Sequence, residues 1–578
     1  MSTGRAAPLH PQPEKTYDRT VKREKRRDLI LILVLAAAVS APLYLNGLVM
    51  PDPGHDLEFH LQRIAGLASS FQAGLFPSLI EPWWIRGMGY AVSAFYPDLF
   101  LVPSAFLLMA GVSLEWSYKI MVIGINLASC LIAYRAFSRM LGDRRAAWLG
   151  TLLYVLAPYR LTDLYLRNAV GESLAMMFLP AAAEGIHACY ERPDDRSAWL
   201  RTALAYAGIC CSHPLSLFMA ALFTLLYALM RFRRTFSRQV LIPLLKAAGT
   251  AIVLSAWFLV PMAWMSSGNE LYMNAMYRDV YSEAVNPLQL LAFFSPVRGG
   301  SLHPDAGTAG EMPYYLGWSL LAGLAFCLYL LIRRKGGKEC LRVSALALIA
   351  MWMTTCWFPY DRLQQVSWTD YLVTKVQYPW RFEMEAVLLL SIAGMIAYQS
   401  LDHKKAVRAA AAVMSLAGLQ ACLHLGSAVR NASIVHVSSV ADLDSSNFMG
   451  GEFLPAQFSE DSLKKGTLEP TATGGRIVSF SKAGISTSTG IVNDTVQDQV
   501  LTLPQVYYSE YQAVLSESGT VLQTENLGDG RLSIVIPAGC SGTVQTSLPL
   551  PLFVRMSLPV SIAMLGWILW NRDWFRKG

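Results

Sequence analysis

The residues best suited to chemistry stand in one short stretch, residues 51–63, directly after a long apolar run. They are His55, Asp56, Glu58, His60 and Arg63. Ionisable side chains at a membrane boundary are costly unless they are solvated or paired, so such a cluster points to a functional site. A carboxylate in this position can act as a general base on a hydroxyl group. We interpret the stretch as the catalytic loop of a membrane enzyme.

The composition of the chain is typical of a polytopic membrane protein. Of its 578 residues, 53% are hydrophobic and 15% are charged, whereas soluble chains carry about 25% charged residues. Many apolar runs approach the length of about 20 residues that a membrane helix needs. The formal net charge of +7 comes mostly from short loops, where Lys and Arg set membrane topology. No basic face is interleaved with aromatic residues, so we expect no nucleic-acid partner.

The nine cysteines predict neither a disulfide framework nor a metal centre. Most of them lie inside apolar runs, and no metal-type spacing occurs. Cys540 stands alone in the long polar C-terminal segment, so that segment cannot contain an internal disulfide. We see no pterin or nucleotide site. The acids and histidines of the first stretch leave a divalent metal ion as an open possibility, and the cofactor as unknown.

The apolar runs predict a polytopic α-helical membrane protein with about 12 spans. We divide it into a basic cytoplasmic tail (1–28), a transmembrane domain (29–425) whose outer loop is 50–114, and a final helix with a cytoplasmic tail (551–578). The positive-inside rule places both termini in the cytoplasm. The predicted spans are 29–49, 116–138, 146–160, 172–190, 198–212, 214–231, 240–264, 313–332, 340–357, 382–400, 406–425 and 551–570.

Residues 426–550 differ in composition from the rest of the chain. They are rich in Ser, Thr, Gly and Val, and short alternating runs are separated by turn residues. This pattern predicts a small β-sandwich-like domain, which the topology places outside the cell. The predicted strands lie within 433–440, 476–481, 499–506 and 531–536.

The same topology places further polar and aromatic residues on the outer face. Arg and Lys side chains suit a phosphate group, which guanidinium can bind bidentately. With aromatic rings to stack on sugars, these parts fit glycosyl transfer from a polyprenyl-phosphate-linked sugar. The candidate substrate-binding residues, besides those of the first stretch, are Arg160, Asp163, Arg167, Glu172, His213, Lys375, Gln377, Tyr378, Trp380 and Arg381.

Each of these motifs also has a purely structural interpretation. Residues 163–172 could form a buried ion-pair network that fixes helix packing. Residues 378–381 could be an interfacial aromatic belt with a snorkelling arginine. His213 could simply end a helix before Pro214. For the whole protein, the alternatives are a transporter or flippase of a lipid-linked envelope precursor, and a non-catalytic scaffold that binds envelope glycans.

Four stretches carry a resemblance to a known group of proteins. The chain resembles bacterial membrane proteins of the YfhO-like and pyruvoyl-tetrahydropterin-synthase-related families, which look like members of the GT-C glycosyltransferase superfamily. The stretches are 54–63 (GHDLEFHLQR), 159–167 (YRLTDLYLR) with Gly171 and Glu172, 377–382 (QYPWRF) and 451–455 (GEFLP).

The resemblance implies a catalytic acid in the first outer loop, which falls on Asp56, with Glu58 as the alternative. It also implies a polyprenyl-phosphate sugar donor, an envelope polymer or lipid as acceptor, contact with membrane lipids, and a place in the bacterial cytoplasmic membrane. GT-C enzymes often carry two acids here as Asp-Asp, Asp-Glu or Asp-x-Asp, whereas this chain has Asp56-Leu-Glu58. We prefer Asp56 as the base because it lies nearer the end of the first predicted span.

Overall fold

The computed structural model describes residues 13–51, 56–296, 307 and 312–571. Long helices dominate as far as Arg430, and a β-rich region follows. The helices of eight or more residues are Pro13–Val39, Leu57–Gln72, Val102–Met109, Leu114–Leu141, Arg144–Val155, Pro158–Tyr165, Val170–Glu191, Ala198–Cys210, Pro214–Met230, Arg238–Leu254, Ala256–Gly268, Trp318–Ile332, Lys338–Thr354, Ser367–Thr374, Glu383–Gln399, His403–Arg430 and Leu552–Trp570.

Most of the predicted spans coincide with helices to within a few residues, because local signals set the helix ends. The predicted span 116–138 is the helix Leu114–Leu141. It begins after Ser113, whose Oγ accepts the backbone N–H of Trp116 at 3.3 Å, as an N-cap residue does. It ends at Gly142, whose φ of +66° is the left-handed conformation that commonly stops a helix.

The prediction that residues 29–49 form one helix is wrong in its second half. The helix ends at Val39, and a short 3-10 turn, Ala41–Tyr44, follows. Leu48–Pro51 then forms a strand that pairs antiparallel with Ala432–Val435. The pairing satisfies backbone groups that a helix would otherwise satisfy, and Pro42 cannot continue the helix. The chain therefore leaves the first helix early and reaches the Asp56 region through a strand.

Two other predicted spans are interrupted. Residues 240–264 form two helices, Arg238–Leu254 and Ala256–Gly268, bent by 71° at the break. The hydroxyl of Ser561, in the last helix, accepts the N–H of Trp257 at 3.1 Å and donates to the carbonyl of Val253 at 2.9 Å. That side chain thus satisfies backbone groups that the break exposes. The predicted span 146–160 likewise ends at Val155, before a separate helix begins at Pro158.

Apolar helices typical of an integral membrane protein are present in the described part of the chain. By length and composition, four helices can cross a membrane, and the bent pair would make a fifth. Several other predicted spans are helices of 12 to 17 residues, shorter than the run of about 20 that a perpendicular crossing needs. The total of about 12 spans and the orientation of the termini stay predictions. The four helices that are long and apolar enough to cross a membrane are Leu114–Leu141, Pro379–Gln399, His403–Arg430 and Leu552–Trp570.

The C-terminal region contains two antiparallel sheets. The four-stranded sheet has the spatial order Thr471–Ala472, Gln499–Val506, Arg531–Ile536 and Thr524–Glu525. The five-stranded sheet has the order Arg476–Ala483, Ser486–Val492, Ser541–Ser547, Gln512–Leu515 and Thr520–Leu522. The predicted strands 499–506 and 531–536 coincide with observed strands.

Both sheets contribute buried side chains to one core, as the two layers of a sandwich do. Leu501 and Ile534 come from the smaller sheet, and Ile491 and Val544 from the larger. The same core contains side chains of residues 79–95, from the predicted outer loop. The β-rich region is therefore packed directly against the first loop of the helical part.

Candidate functional site

The first loop, the helical part and the β-rich region together enclose a cavity of about 960 Å³. Seven separate segments of the chain contribute to its walls, so no single motif forms it. Of the residues that the sequence pointed to, nine line this cavity: Asp56, Arg167, Glu172, His213, Lys375, Gln377, Tyr378, Trp380 and Arg381.

Asp56 occupies the position just before the helix Leu57–Gln72. Its backbone N–H donates to the carbonyl oxygen of Arg167 at 2.9 Å, and its own carbonyl accepts the N–H of His60 at 3.0 Å. Within the described residues, no hydrogen bond or ion pair holds its carboxylate. Burial raises the pKa of this carboxyl above its usual value, and the positive charge of Arg167 opposes that increase. The backbone is thus held while the carboxylate stays available.

Glu172 is the centre of a buried ion-pair network at the back of the cavity. Its Oε2 accepts from Nη1 of Arg167 at 2.7 Å and from the hydroxyl of Tyr159 at 3.1 Å. Its Oε1 accepts from Nε of Arg381. Arg167 also pairs with Asp163 at 2.6 Å. Two buried arginines are thus compensated by two acids, as the structural interpretation of residues 163–172 supposed.

A stack of three aromatic rings adjoins this network. Trp380 lies between Tyr314 and Tyr378, with ring centroids 4.8 and 4.3 Å apart and both pairs inclined by 15°. Nη1 of Arg381 donates to Oε1 of Gln377 at 2.7 Å, and Gln377 has a φ of +62°, a conformation that costs energy in a residue with a side chain. Trp380 and Arg381 are buried, so these two side chains are not a lipid-facing belt.

Lys375 contributes a positive charge that no acid compensates in the described part of the chain. Its Nζ donates to Oδ1 of Asn274 at 3.1 Å and lies 5.1 Å from the centre of the Tyr371 ring. Nearby, Arg278 donates to the hydroxyl of Tyr378 at 2.8 Å. Its Nη2 lies 3.8 Å from Oε1 of Glu452, within the range of an ion pair. This wall of the cavity therefore presents two cations that an anion could reach.

His213 fits both of the interpretations that the sequence allowed. It precedes the helix Pro214–Met230, and its Nδ1 accepts the backbone N–H of Ser216 at 3.3 Å. Its ring also lines the cavity, 5.7 Å from the ring of Tyr96. Burial and the charge of Arg381 lower its pKa to about 3, so the ring is neutral at physiological pH. It can accept or donate one hydrogen bond but cannot supply a positive charge.

Several predicted site residues lie outside the cavity. Arg63 is buried in an ion pair with Asp98, and its Nη2 also donates to the carbonyl of Pro97 at 2.9 Å. Arg160 donates to Oδ1 of Asn126 at 2.8 Å and to a backbone carbonyl. Asp163 lies behind Arg167. These three side chains bond to other parts of the protein and do not line the cavity; their role as substrate ligands stays a prediction.

The remaining predictions concern the first loop. Oε1 of Glu58 accepts from Gln62 at 3.1 Å and from Asn447 at 3.3 Å, so Glu58 braces Asn447 instead of lining the cavity. His60 is fully buried beside the rings of Phe59 and Tyr96. Burial lowers its pKa well below the usual range, so it offers no charge for a phosphate. His55 lies outside the described residues.

Sequence reasoning missed three charged residues of the cavity, Arg278, Glu283 and Glu452. Glu452 lies in the stretch 451–455, which carried part of the family resemblance but was assigned no role. Arg278 had one available signal, its position between Tyr277 and Tyr281 in a segment predicted to lie outside. None of the three lies near the predicted site residues in sequence, so only folding brings them together.

The described residues contain no group of three or more His, Cys, Asp or Glu side chains that could hold a metal ion. The divalent metal ion stays an open possibility, as the sequence left it. Among the charged groups of the cavity, Glu172 is paired with the guanidinium groups of Arg167 and Arg381. What the arrangement offers chemically is the Asp56 carboxylate, the cations of Lys375 and Arg278, and an aromatic wall.

No protein-family model matches the chain. An uncharacterized protein of Lactococcus lactis subsp. cremoris is 24% identical over 246 residues, which are 40% of this chain and 39% of that protein. The chain thus matches well under half the length of this curated relative.

Three solved structures show a distant likeness. Arabinofuranosyltransferase AftD from Mycobacteria aligns at 15% identity and a TM-score of 0.44, over 70% of this chain and 27% of that one. ArnT from Cupriavidus metallidurans bound to undecaprenyl phosphate aligns at 14% identity and a TM-score of 0.40, over 69% of this chain and 76% of that one. The Archaeoglobus fulgidus oligosaccharyltransferase aligns at 12% identity and a TM-score of 0.39, over 70% of this chain and 54% of that one. At these TM-scores the likeness does not by itself assign a fold family or an activity.

Proposed function

We propose that the protein is a membrane glycosyltransferase of the GT-C type. It moves a sugar from a polyprenyl-phosphate donor to an envelope polymer or lipid, on the outer face of the bacterial cytoplasmic membrane. The observation that carries the proposal is that Asp56, whose carboxylate has no hydrogen bond or ion pair within the described residues, shares one cavity with Lys375 and Arg278. A base and a phosphate-binding pair are the two parts that such a transfer requires.

In the proposed reaction, the Asp56 carboxylate takes the proton of an acceptor hydroxyl as its oxygen attacks the anomeric carbon of the sugar. The bond between that carbon and the phosphate oxygen breaks, and polyprenyl phosphate leaves with the electron pair. Lys375 and Arg278 stabilise the negative charge of the leaving phosphate, because charge-assisted hydrogen bonds to phosphate are strong. A single displacement of this kind inverts the anomeric configuration.

The buried network around Glu172 has a different part in this proposal. Arg167 and Arg381 are already compensated by acids, so they are less available to a phosphate than Lys375. Their role is to fix the loop that carries Asp56, through the carbonyl of Arg167. Tyr378, at the end of the aromatic stack, lines the cavity and supplies an aromatic surface beside which a sugar ring can lie.

The test is sugar transfer by purified protein from a radiolabelled polyprenyl-phosphate sugar to an envelope-glycan fraction. Asp56→Asn removes the proton acceptor and keeps the shape of the side chain. We expect it to lower the rate about 100- to 10,000-fold, with an unchanged melting temperature in detergent. The matched control is Glu58→Gln, which alters a carboxylate that does not line the cavity and should leave most of the transfer activity.

Full activity of Asp56→Asn would contradict the proposed base, and loss of activity only in Glu58→Gln would assign that role to Glu58. If wild-type protein forms no glycosidic bond but moves the lipid-linked sugar across proteoliposome membranes, the flippase alternative replaces the transferase. If it does neither but retains envelope glycans on a column, the scaffold alternative replaces it.

A further inference from the structure

One wall of the cavity comes from residues 447–453, in the segment that leads into the β-rich region. Asn447, Gly450, Glu452 and Phe453 all line the cavity. The reaction proposed above uses none of them. Glu452 is the most informative of the four, because it is a second carboxylate in a cavity whose base is already assigned to Asp56.

The backbone around Glu452 is held on both sides. The carbonyl of Glu452 accepts the N–H of Met273 at 3.0 Å. The N–H of Phe453 donates to the hydroxyl of Tyr90 at 3.1 Å, and the hydroxyl of Tyr508 donates to the carbonyl of Phe453 at 3.0 Å. These bonds join the first loop, the helical part and the β-rich region at one point. Glu452 therefore has a fixed position relative to Asp56.

The Glu452 carboxylate keeps hydrogen-bonding capacity for a ligand. Its Oε1 is 3.8 Å from Nη2 of Arg278, longer than a hydrogen bond, and 34% of its side chain is exposed. Burial raises the pKa of Glu452, and the negative charge of Asp56 contributes to the increase. Both acids line the same cavity, so one bound molecule can contact both of them.

An apolar surface lies beside this carboxylate. The rings of Phe453 and Phe95 stack with centroids 5.4 Å apart and an inclination of 18°, and both line the cavity. A carboxylate next to a flat aromatic surface suits a sugar ring, whose hydroxyls donate hydrogen bonds at its edge while its face packs on the ring.

We propose that Glu452 binds the acceptor, and that this acceptor is a glycan. Its carboxylate accepts hydrogen bonds from hydroxyls of the acceptor's sugar unit and so directs another hydroxyl of that unit toward Asp56. The inference rests on the proposed transferase function. It adds that the acceptor is polyhydroxylated and that the segment leading into the β-rich region selects it.

The experiment measures transfer while donor and acceptor concentrations are varied separately, with the labelled donor and an envelope-glycan fraction as probes. Hydrogen bonds to charged groups are worth about 1.5–3 kcal/mol, so Glu452→Gln should raise the half-saturating acceptor concentration about tenfold to a hundredfold. The half-saturating donor concentration, and binding of undecaprenyl phosphate, should stay unchanged. Glu460→Gln is the matched control, because Glu460 is exposed and pairs with Lys464.

Gly450→Ala is a second variant that perturbs the Glu452 carboxylate. Gly450 has a φ of +74°, and an added Cβ would lie 3.1 Å from both oxygens of Glu452. The variant displaces the carboxylate without removing it, so it should raise the acceptor requirement in the same direction. If Glu452→Gln does not fold, Gly450→Ala and Glu452→Asp decide the question.

An unchanged acceptor dependence in folded Glu452 variants would overturn this inference, and so would an equal loss of donor binding. In that case Asp56→Asn still tests the transferase by itself. A wild-type protein that transfers no sugar would instead remove the proposed function, and this inference with it.

Discussion

The backbone N–H of Asp56 donates a hydrogen bond to the carbonyl oxygen of Arg167 at 2.9 Å. The side chain of Arg167 in turn pairs with Glu172 at 2.7 Å and with Asp163 at 2.6 Å. The loop that carries the proposed base is therefore attached to a buried ion-pair network. The stability of the network and the binding of a phosphate by the cations of the cavity should therefore respond to different substitutions.

Glu172→Gln should destabilise the protein by about 3–5 kcal/mol, because it leaves Arg167 and Arg381 buried without their shared acid. The measurement is thermal unfolding in detergent. Asp461→Asn is the control, since its ion pair with Lys465 is exposed and its loss should not change the melting temperature. A Glu172→Gln protein with the same melting temperature as the wild type would contradict the assignment of a stabilising network.

Lys375→Gln should weaken binding of undecaprenyl phosphate about tenfold or more, because it removes a charge-assisted contact to the phosphate. The melting temperature should stay the same, since no acid among the described residues depends on Lys375. Binding to purified protein can be titrated directly, with Lys405→Gln as the control at an exposed lysine that pairs with Asp402. Equal affinities for the three proteins would exclude Lys375 as a phosphate ligand.

The transfer rate should fall as pH decreases through the pKa of Asp56. The base works only in its ionised form, and burial raises the pKa of this carboxyl above its usual value. The acidic limb of the profile should therefore lie above the pH range of an ordinary aspartate. The check is kcat/KM measured across pH, with unfolding followed in parallel. A rate that is constant down to the usual aspartate range would contradict a raised pKa or the choice of base.

Gly66→Ala should destabilise the packing of the first loop. Gly66 lies in the helix Leu57–Gln72, and an added Cβ would lie 1.8 Å from Oε2 of Glu81. That oxygen accepts from Nε1 of Trp84 at 2.6 Å, so the Glu81 carboxylate cannot move freely. Overpacking of this kind costs about 1–3 kcal/mol.

The matched control is Gly124→Ala, in the helix Leu114–Leu141. An added Cβ there meets no atom within 4 Å, and alanine is the better helix former by roughly 0.5–1 kcal/mol. Melting temperatures of the two variants should therefore shift in opposite directions. Equal shifts would mean that the Gly66 contact is relieved at little cost.

The topology prediction is tested by cysteine labelling in intact cells. A cysteine in place of Lys335, in a predicted cytoplasmic loop, should stay unlabelled by a membrane-impermeant reagent. A cysteine in place of Ser481, on an exposed strand position of the β-rich region, should be labelled. The unsubstituted protein controls for Cys422 and the other native cysteines. Labelling at 335 but not at 481 would reverse the predicted orientation.

The sequence by itself determined most of the secondary structure. The predicted strand 499–506 coincides with Gln499–Val506, and the predicted span 116–138 lies within Leu114–Leu141. Apolar periodicity and capping residues act within one or two turns of chain, so they can be read without knowing the partners. The sequence also identified Asp56 and most of the charged residues that line the cavity.

Only the tertiary structure decided which of the charged side chains are available to bind a substrate. Arg63 is neutralised by a buried ion pair with Asp98. Glu172 forms an ion pair with Arg381, which is 209 residues away along the chain. Arg278 and Glu452 reach the cavity from segments that no local pattern connects to Asp56. Burial and charge pairing depend on long-range packing, and packing determines whether an ionisable side chain is neutralised, merely structural, or free to meet a substrate.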